Sequence, residues 1–155
     1  MTTPSIPATN IYFTNIELNQ ADILWTNGNG AGRVVFMMEG DNGTVEPVNN
    51  TTYAANNIFG SGDQTGSGGW YCMYNGTSNN VTVTGLSPNT TYRVMVCEYN
   101  GSTGNEKYNT SDATGNPASF STLLTNIERN KESQPLQFHI YPNPFSDNIT
   151  WKMPE

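Results

Sequence analysis

Two thiols, one imidazole and a scatter of carboxylates are what this chain offers for chemistry. The imidazole is His139, close to the end of the 155 residues. A Ser-His-Asp or Cys-His relay would have to use it, far in sequence from any nucleophile in the main run of strands. Glu39, Asp41, Asp63, Glu98 and Glu106 could supply the pair of carboxyl groups that hydrolyses a glycoside. Acids spaced singly between apolar runs and turns are far more often solvated loop and edge charges. Cys72 and Cys97 allow one bridge. A disulfide formed in an oxidising compartment and two separate thiols acting as small hydrophobes both fit. Separate thiols are the favoured expectation, because their strands need not be adjacent. Two Cys and one His are too few for a zinc site. The Gly60-Ser61-Gly62 to Gly68-Gly69 stretch lacks the Lys-Ser/Thr of a phosphate-binding loop. Asp41-Asn42-Gly43 could touch calcium, but its composition is that of a turn. The expectation is a protein that is not an enzyme and carries no cofactor or metal.

Binding is the stronger alternative. The loop from Asn56 to Gly69, rich in Gly, Ser and Asn, is flanked by Tyr53, Phe59, Trp70 and Tyr71. Aromatics beside such a loop on a rigid scaffold could meet a polysaccharide or a matrix protein. The competing expectation is that Trp70 and Tyr71 pack on opposite faces of a strand. Charge narrows the partners further. A net charge of −7 with only six Lys and Arg leaves little to neutralise phosphates, so nucleic acid is not expected. No apolar run is long enough to span a membrane as a helix.

These side chains would ride on short strands bounded by turn residues. Ile11-Tyr12-Phe13 and Ile23-Leu24-Trp25 open the series, the second closed by Thr26-Asn27-Gly28-Asn29-Gly30. Val34-Val35-Phe36-Met37-Met38 is continuously apolar, which predicts a strand covered on both faces. Thr52-Tyr53-Ala54, Trp70 to Tyr74, Val81 to Thr84, Thr91 to Tyr99 and Ala118 to Thr122 follow, with Asn75-Gly76 as a turn. No segment sustains a helical period. The fold class is all-β, a two-sheet sandwich.

Gly85-Leu86-Ser87-Pro88-Asn89-Thr90-Thr91-Tyr92-Arg93-Val94-Met95-Val96 resembles the E–F corner of a fibronectin type III domain. The resemblance implies an immunoglobulin-like sandwich whose core contains Trp25, Leu86, Tyr92, Val94 and Val96, with the Tyr92 hydroxyl returning to upstream backbone. It covers residues 4–124. Within the family it is nearest to modules of secreted proteins that carry Trp25-Thr26-Asn27-Gly28-Asn29-Gly30, Phe59-Gly60-Ser61-Gly62, Tyr74-Asn75-Gly76-Thr77 and Glu98-Tyr99-Asn100-Gly101.

The chain then becomes charged over residues 125–135, where Arg129, Lys131 and Glu132 suit a solvated linker. In residues 136–155, Tyr141, Pro142, Asn143, Pro144 and Phe145, followed by Asp147, Asn148 and Ile149, resemble the start of the C-terminal sorting domain on cargo of the Gram-negative type IX secretion system. The two prolines fix an extended joint between apolar alternations. That resemblance implies a secreted or outer-membrane-surface protein, with secretion and surface-attachment machinery as partners of the tail. The family's sorting domain continues past this motif, so the tail is expected to be incomplete and the chain a segment of something longer. The functional expectation is a non-catalytic spacer, with adhesion or carbohydrate binding through the Asn56–Tyr71 region as the alternative.

Overall fold

The computed structural model describes residues 1–125. Nine strands form among the described residues: β1 (Thr9–Thr14), β2 (Gln20–Thr26), β3 (Gly32–Glu39), β4 (Gln64–Thr65), β5 (Trp70–Gly76), β6 (Asn80–Thr84), β7 (Thr91–Asn100), β8 (Lys107–Asn109) and β9 (Ala118–Ser121). One sheet has the order β1-β2-β6. The other runs β4-β5-β3-β7-β8, with β9 also pairing β7. All strand pairs are antiparallel. Strands one, two and six against three, seven and the last pair reproduce the ABE and CFG sheets of an immunoglobulin-like sandwich. The all-β, two-sheet sandwich of the fibronectin type III kind is therefore what this chain forms.

Period-two alternation builds the layer between the sheets. Ala21, Ile23 and Trp25 on β2, Val35 and Met37 on β3, and Tyr92, Val94 and Val96 on β7 all point inward and are buried, joined by Leu86 and Phe120. The Ser87 N–H donates to the Tyr92 hydroxyl at 2.9 Å, tying the turn before β7 to the core. The indole N–H of Trp25 is buried without a hydrogen-bond partner among the described residues.

A second apolar layer lies on the far face of the larger sheet. Val34 and Phe36 on β3, Trp70 and Cys72 on β5, and Met95 and Cys97 on β7 face outward from the sandwich, yet all are buried. Their cover is the segment 40–63, between β3 and β4. Val45 and Tyr53 from that segment, with Tyr108 of β8, complete the layer. Val34, Val35, Phe36 and Met37 are each 0% exposed, so β3 is covered on both faces, as its unbroken apolar run predicts.

The strands correct two expectations. Thr52-Tyr53-Ala54 forms no strand, because its polar groups are spent on docking rather than on a ladder. The Tyr53 hydroxyl accepts from Val48 N–H at 2.9 Å and lies 3.1 Å from Thr65 Oγ1, and its ring meets Phe36 edge-on at 5.1 Å. Asn75-Gly76 is no turn either. Both residues continue β5 opposite Val34 and Arg33. Strand β8, too short and polar to stand out in the sequence, is held by Asn49, whose side chain accepts from Tyr108 N–H at 2.8 Å.

Candidate functional site

The four aromatics that flank the 56–69 loop are committed to packing rather than display. Tyr53 and Trp70 are only 5% and 6% exposed and lie in the outer apolar layer. Phe59 and Tyr71 are half-buried against the inter-sheet core. Phe59 packs edge-on against both Tyr92 at 5.0 Å and Tyr71 at 5.5 Å. Backbone bonds place it there: Phe59 N–H donates to Thr84 O at 2.9 Å and Thr84 N–H to Asn57 O at 2.8 Å. The segment thus adds a short parallel edge to β6 and closes the side of the sandwich between β5 and β6. Trp70 and Tyr71 do face opposite ways on β5, one toward each layer.

The carboxylates separate into two kinds. Glu39, Asp41 and Asp63 are exposed, and Asp63 accepts from Ala54 N–H at 2.8 Å. Glu98 and Glu106 are buried. Glu98 lies opposite Arg33 across the β3–β7 ladder, and their side chains form a two-pronged pair, Arg33 Nε to Oε1 at 3.1 Å and Nη2 to Oε2 at 3.0 Å. Gly30 N–H donates to the same Oε2 at 2.8 Å, and Arg33 Nη1 donates to Thr77 O at 2.8 Å. Every charged atom is matched, so the pair clamps the β2–β3 turn onto the end of the core. Glu106 accepts from the Thr52 hydroxyl, while its second oxygen is buried without a partner among the described residues. Burial, reinforced by Glu106, holds the phenols of Tyr99 and Tyr108 above their usual range.

Cys72 and Cys97 are free, buried thiols. They flank β3 on the same face, Cys72 opposite Phe36 and Cys97 opposite Val34. Two strand spacings, roughly 9–10 Å, separate such positions, beyond the ~7 Å Cα separation a disulfide can bridge. Burial pushes the Cys72 thiol up to about 12 and Cys97 higher still.

Asn116 is a buried group that the sequence did not single out. Its amide donates to Ala8 O at 2.9 Å and Val96 O at 2.8 Å and accepts from Val96 N–H at 3.1 Å. One side chain thereby does the work of a missing strand partner on β7. Arg33 and Glu98 were likewise missed as a pair, although each is a lone charge bordering an apolar run, which could have flagged them. Asn116, between Gly115 and Pro117, carries no comparable signal.

An open cavity of about 480 Å³ lies at the β7–β8 connection, lined by Met1, Asn50, Gly101, Ser102, Asn105 and Lys107. Its one side-chain cation, Lys107, is tied to Asn50 Oδ1 at 2.8 Å. None of the four flanking aromatics lines it. Among the described residues no group of three or more His, Cys, Asp or Glu could hold a metal, and no helix is long and apolar enough to cross a membrane. Residues Tyr141, Pro142, Asn143, Pro144, Phe145, Asp147, Asn148 and Ile149 lie outside the described residues, as does His139.

The first and the last described residues lie at opposite ends of the domain. Near its start, Thr2 O accepts from Asn100 Nδ2 at 2.9 Å, at the last residue of β7. Near its exit, Thr122 N–H donates to Thr90 O at 3.0 Å, just before the first residue of β7. The chain therefore enters at one end of its longest strand and leaves at the other, roughly 30 Å away at the usual strand rise.

No protein-family model matches the sequence, and no curated protein does either. Among solved structures it is similar to a fourth fibronectin type III domain from human, at 19% identity over 81% of this chain and 83% of that one, with a TM-score of 0.49. It is also similar to a domain of human fibronectin type III domain containing protein 3, at 17% identity over 79% and 89%, with a TM-score of 0.48. A computationally redesigned β-sandwich protein matches at 23% identity over 79% and 92%, with a TM-score of 0.46.

Proposed function

We propose that this chain is a non-catalytic spacer module of a secreted or cell-surface protein, followed by the start of a type IX sorting signal. One observation carries the spacer reading: entry and exit lie at opposite ends of β7. A domain so connected holds whatever precedes it roughly 30 Å from whatever follows. The disposition of reactive groups supports the same reading. The buried acids and both thiols are fixed in packing, and the bidentate Arg33–Glu98 pair is matched atom for atom. The sorting reading rests on the Tyr141–Ile149 motif alone and is independent of the sandwich.

The rival is adhesion through the 56–71 region, for which Phe59 and Tyr71 retain partial exposure. The deciding experiment presents the full chain to an array of polysaccharides and host-matrix proteins, beside a Phe59→Ala/Tyr71→Ala variant. The spacer reading expects no saturable binding by the folded protein. Saturable binding lost in the double variant would replace it with adhesion. The sorting reading has its own test: in a host with type IX machinery, Pro142→Ala/Pro144→Ala in the parent protein should abolish surface display, and unchanged display would sink it.

A further inference from the structure

Five Asn-Gly steps occur in this chain: Asn27-Gly28, Asn29-Gly30, Asn42-Gly43, Asn75-Gly76 and Asn100-Gly101. Such steps are prone to one intramolecular reaction. The backbone nitrogen of the glycine attacks the side-chain carbonyl carbon of the asparagine, a C–N bond forms, and the bond to Nδ2 breaks. Ammonia leaves with the proton from the peptide N–H, and a five-membered succinimide remains. Water then opens the ring at either carbonyl, giving aspartate or isoaspartate. The step needs a side-chain amide free to turn and a glycine peptide free to rotate. Glycine assists because no Cβ obstructs that rotation.

The fold treats the five steps unequally. Asn29 accepts from Ile6 N–H at 2.9 Å and donates to Ser5 Oγ at 3.1 Å, while the attacking N–H of Gly30 is bound to Glu98 at 2.8 Å. Asn75 donates to Tyr53 O at 2.9 Å and accepts from the Tyr99 hydroxyl at 2.7 Å, within the β3–β5 ladder. Asn100 accepts from Ala31 N–H and donates to Thr2 O, both at 2.9 Å, and Gly101 is crowded by Asn105 O. The Asn27 side chain is exposed, but Gly28 sits hard against the backbone of Ile6 and Pro7. At Asn42 neither restraint, hydrogen bonding or crowding, is present. It is exposed, and neither its amide nor the Gly43 N–H has a hydrogen-bond partner among the described residues. Gly43 has φ of 92° and no atom within 4 Å of the place a Cβ would occupy. The contact made there, Arg93 Nε to Gly43 O at 2.9 Å, holds the carbonyl and not the attacking nitrogen.

We infer that Asn42 is a site of spontaneous succinimide formation, and that it converts to aspartate and isoaspartate ahead of the other four. The product places a new carboxylate beside Asp41, in a chain already carrying −7, at the start of the covering segment. The isoaspartate form also routes the backbone through one additional methylene between Asp41 and Gly43.

The test is peptide mapping by mass spectrometry of the intact folded chain, incubated at mildly alkaline pH, against the same chain in denaturant. In the folded chain Asn42 should convert on the order of tenfold faster than Asn29, Asn75 or Asn100, since those must first break one or two hydrogen bonds. It should also precede Asn27. In denaturant the five rates should draw together. Conversion at any of the other four as fast as at Asn42 in the folded chain would overturn the inference. So would the same ranking in denaturant, which would assign the difference to neighbouring sequence rather than to the fold.

Discussion

The larger sheet is buried on both faces, and its two apolar layers are held by different means. Between the sheets, strand alternation supplies the core, and the buried acid there, Glu98, has Arg33 and Gly30 as partners. On the far face, a segment without regular structure supplies the cover, and it docks by hydroxyls and side-chain amides: Tyr53 to Thr65, Thr52 to Glu106, Asn49 to Tyr108. The acid there, Glu106, keeps one oxygen unmatched. A sheet face can thus be sealed by irregular chain when that chain brings its own polar satisfaction. A ladder satisfies the backbone automatically, whereas a cover must find a partner for each polar group it buries.

If the outer layer is as closed as the inner one, its thiols will be inert. At pH 8 an alkylating reagent should label Cys72 and Cys97 on the order of a thousandfold more slowly in the native chain than in the unfolded one, because only thiolate reacts and burial withholds it. Rapid native labelling would mean that the cover opens readily and the two layers are not equivalent. The next largest effect tests the acids. Glu98→Ala strands a buried guanidinium and should cost about 3–5 kcal/mol in denaturant unfolding. Glu106→Gln keeps the acceptor for Thr52 and removes a half-matched charge, so it should cost under about 1 kcal/mol or raise stability. Equal losses in the two variants would erase the distinction drawn between them.

A smaller effect is confined to the cover. Tyr53→Phe removes the acceptor for Val48 N–H and should cost about 1 kcal/mol. Amide exchange should quicken at Val48 and its neighbours in the cover while β2 and β6 stay protected. Uniform acceleration would show instead that the cover and the sandwich unfold as one unit. The smallest effect lies outside both layers. Hydrogen bonds from Thr82 and Asn15 hold the Asp22 carboxyl below its usual range. A depressed folded value stabilises the fold above the pKa of the unfolded chain, and that contribution is lost as pH falls through the folded value. Asp22→Asn should therefore flatten the acid limb of the stability profile slightly, given the exposure of the group. An unchanged acid limb would count against the two bonds.

The elements were legible where periodicity was strong. The unbroken run Val34 to Met38 predicted a strand covered on both faces, and β3 is one. What covers its second face could not be read, because segment 40–63 has neither a strand nor a helix period and its anchors are isolated residues such as Val45 and Tyr53. Thr52-Tyr53-Ala54 looked like a strand because β-rich composition marks any segment that packs on a pleated surface, paired or not. The aromatics beside the loop were visible as aromatics. Whether they faced a ligand or a core depended on where the loop crossed, and Phe59 crosses onto Tyr92.

The longer strands, the sandwich and the inward residues of the inter-sheet core follow from the sequence alone, because alternation and turn chemistry act over a few neighbouring residues. That Arg33 meets Glu98 across 65 residues, that Asn116 stands in for a strand partner, and that Asn42-Gly43 escapes both the bonds and the crowding of the other four steps is visible only in the folded chain. Those outcomes are set by register and by the path of an irregular segment. Local composition carries no record of either, since a hydrogen bond between distant residues depends on where the whole chain has brought them.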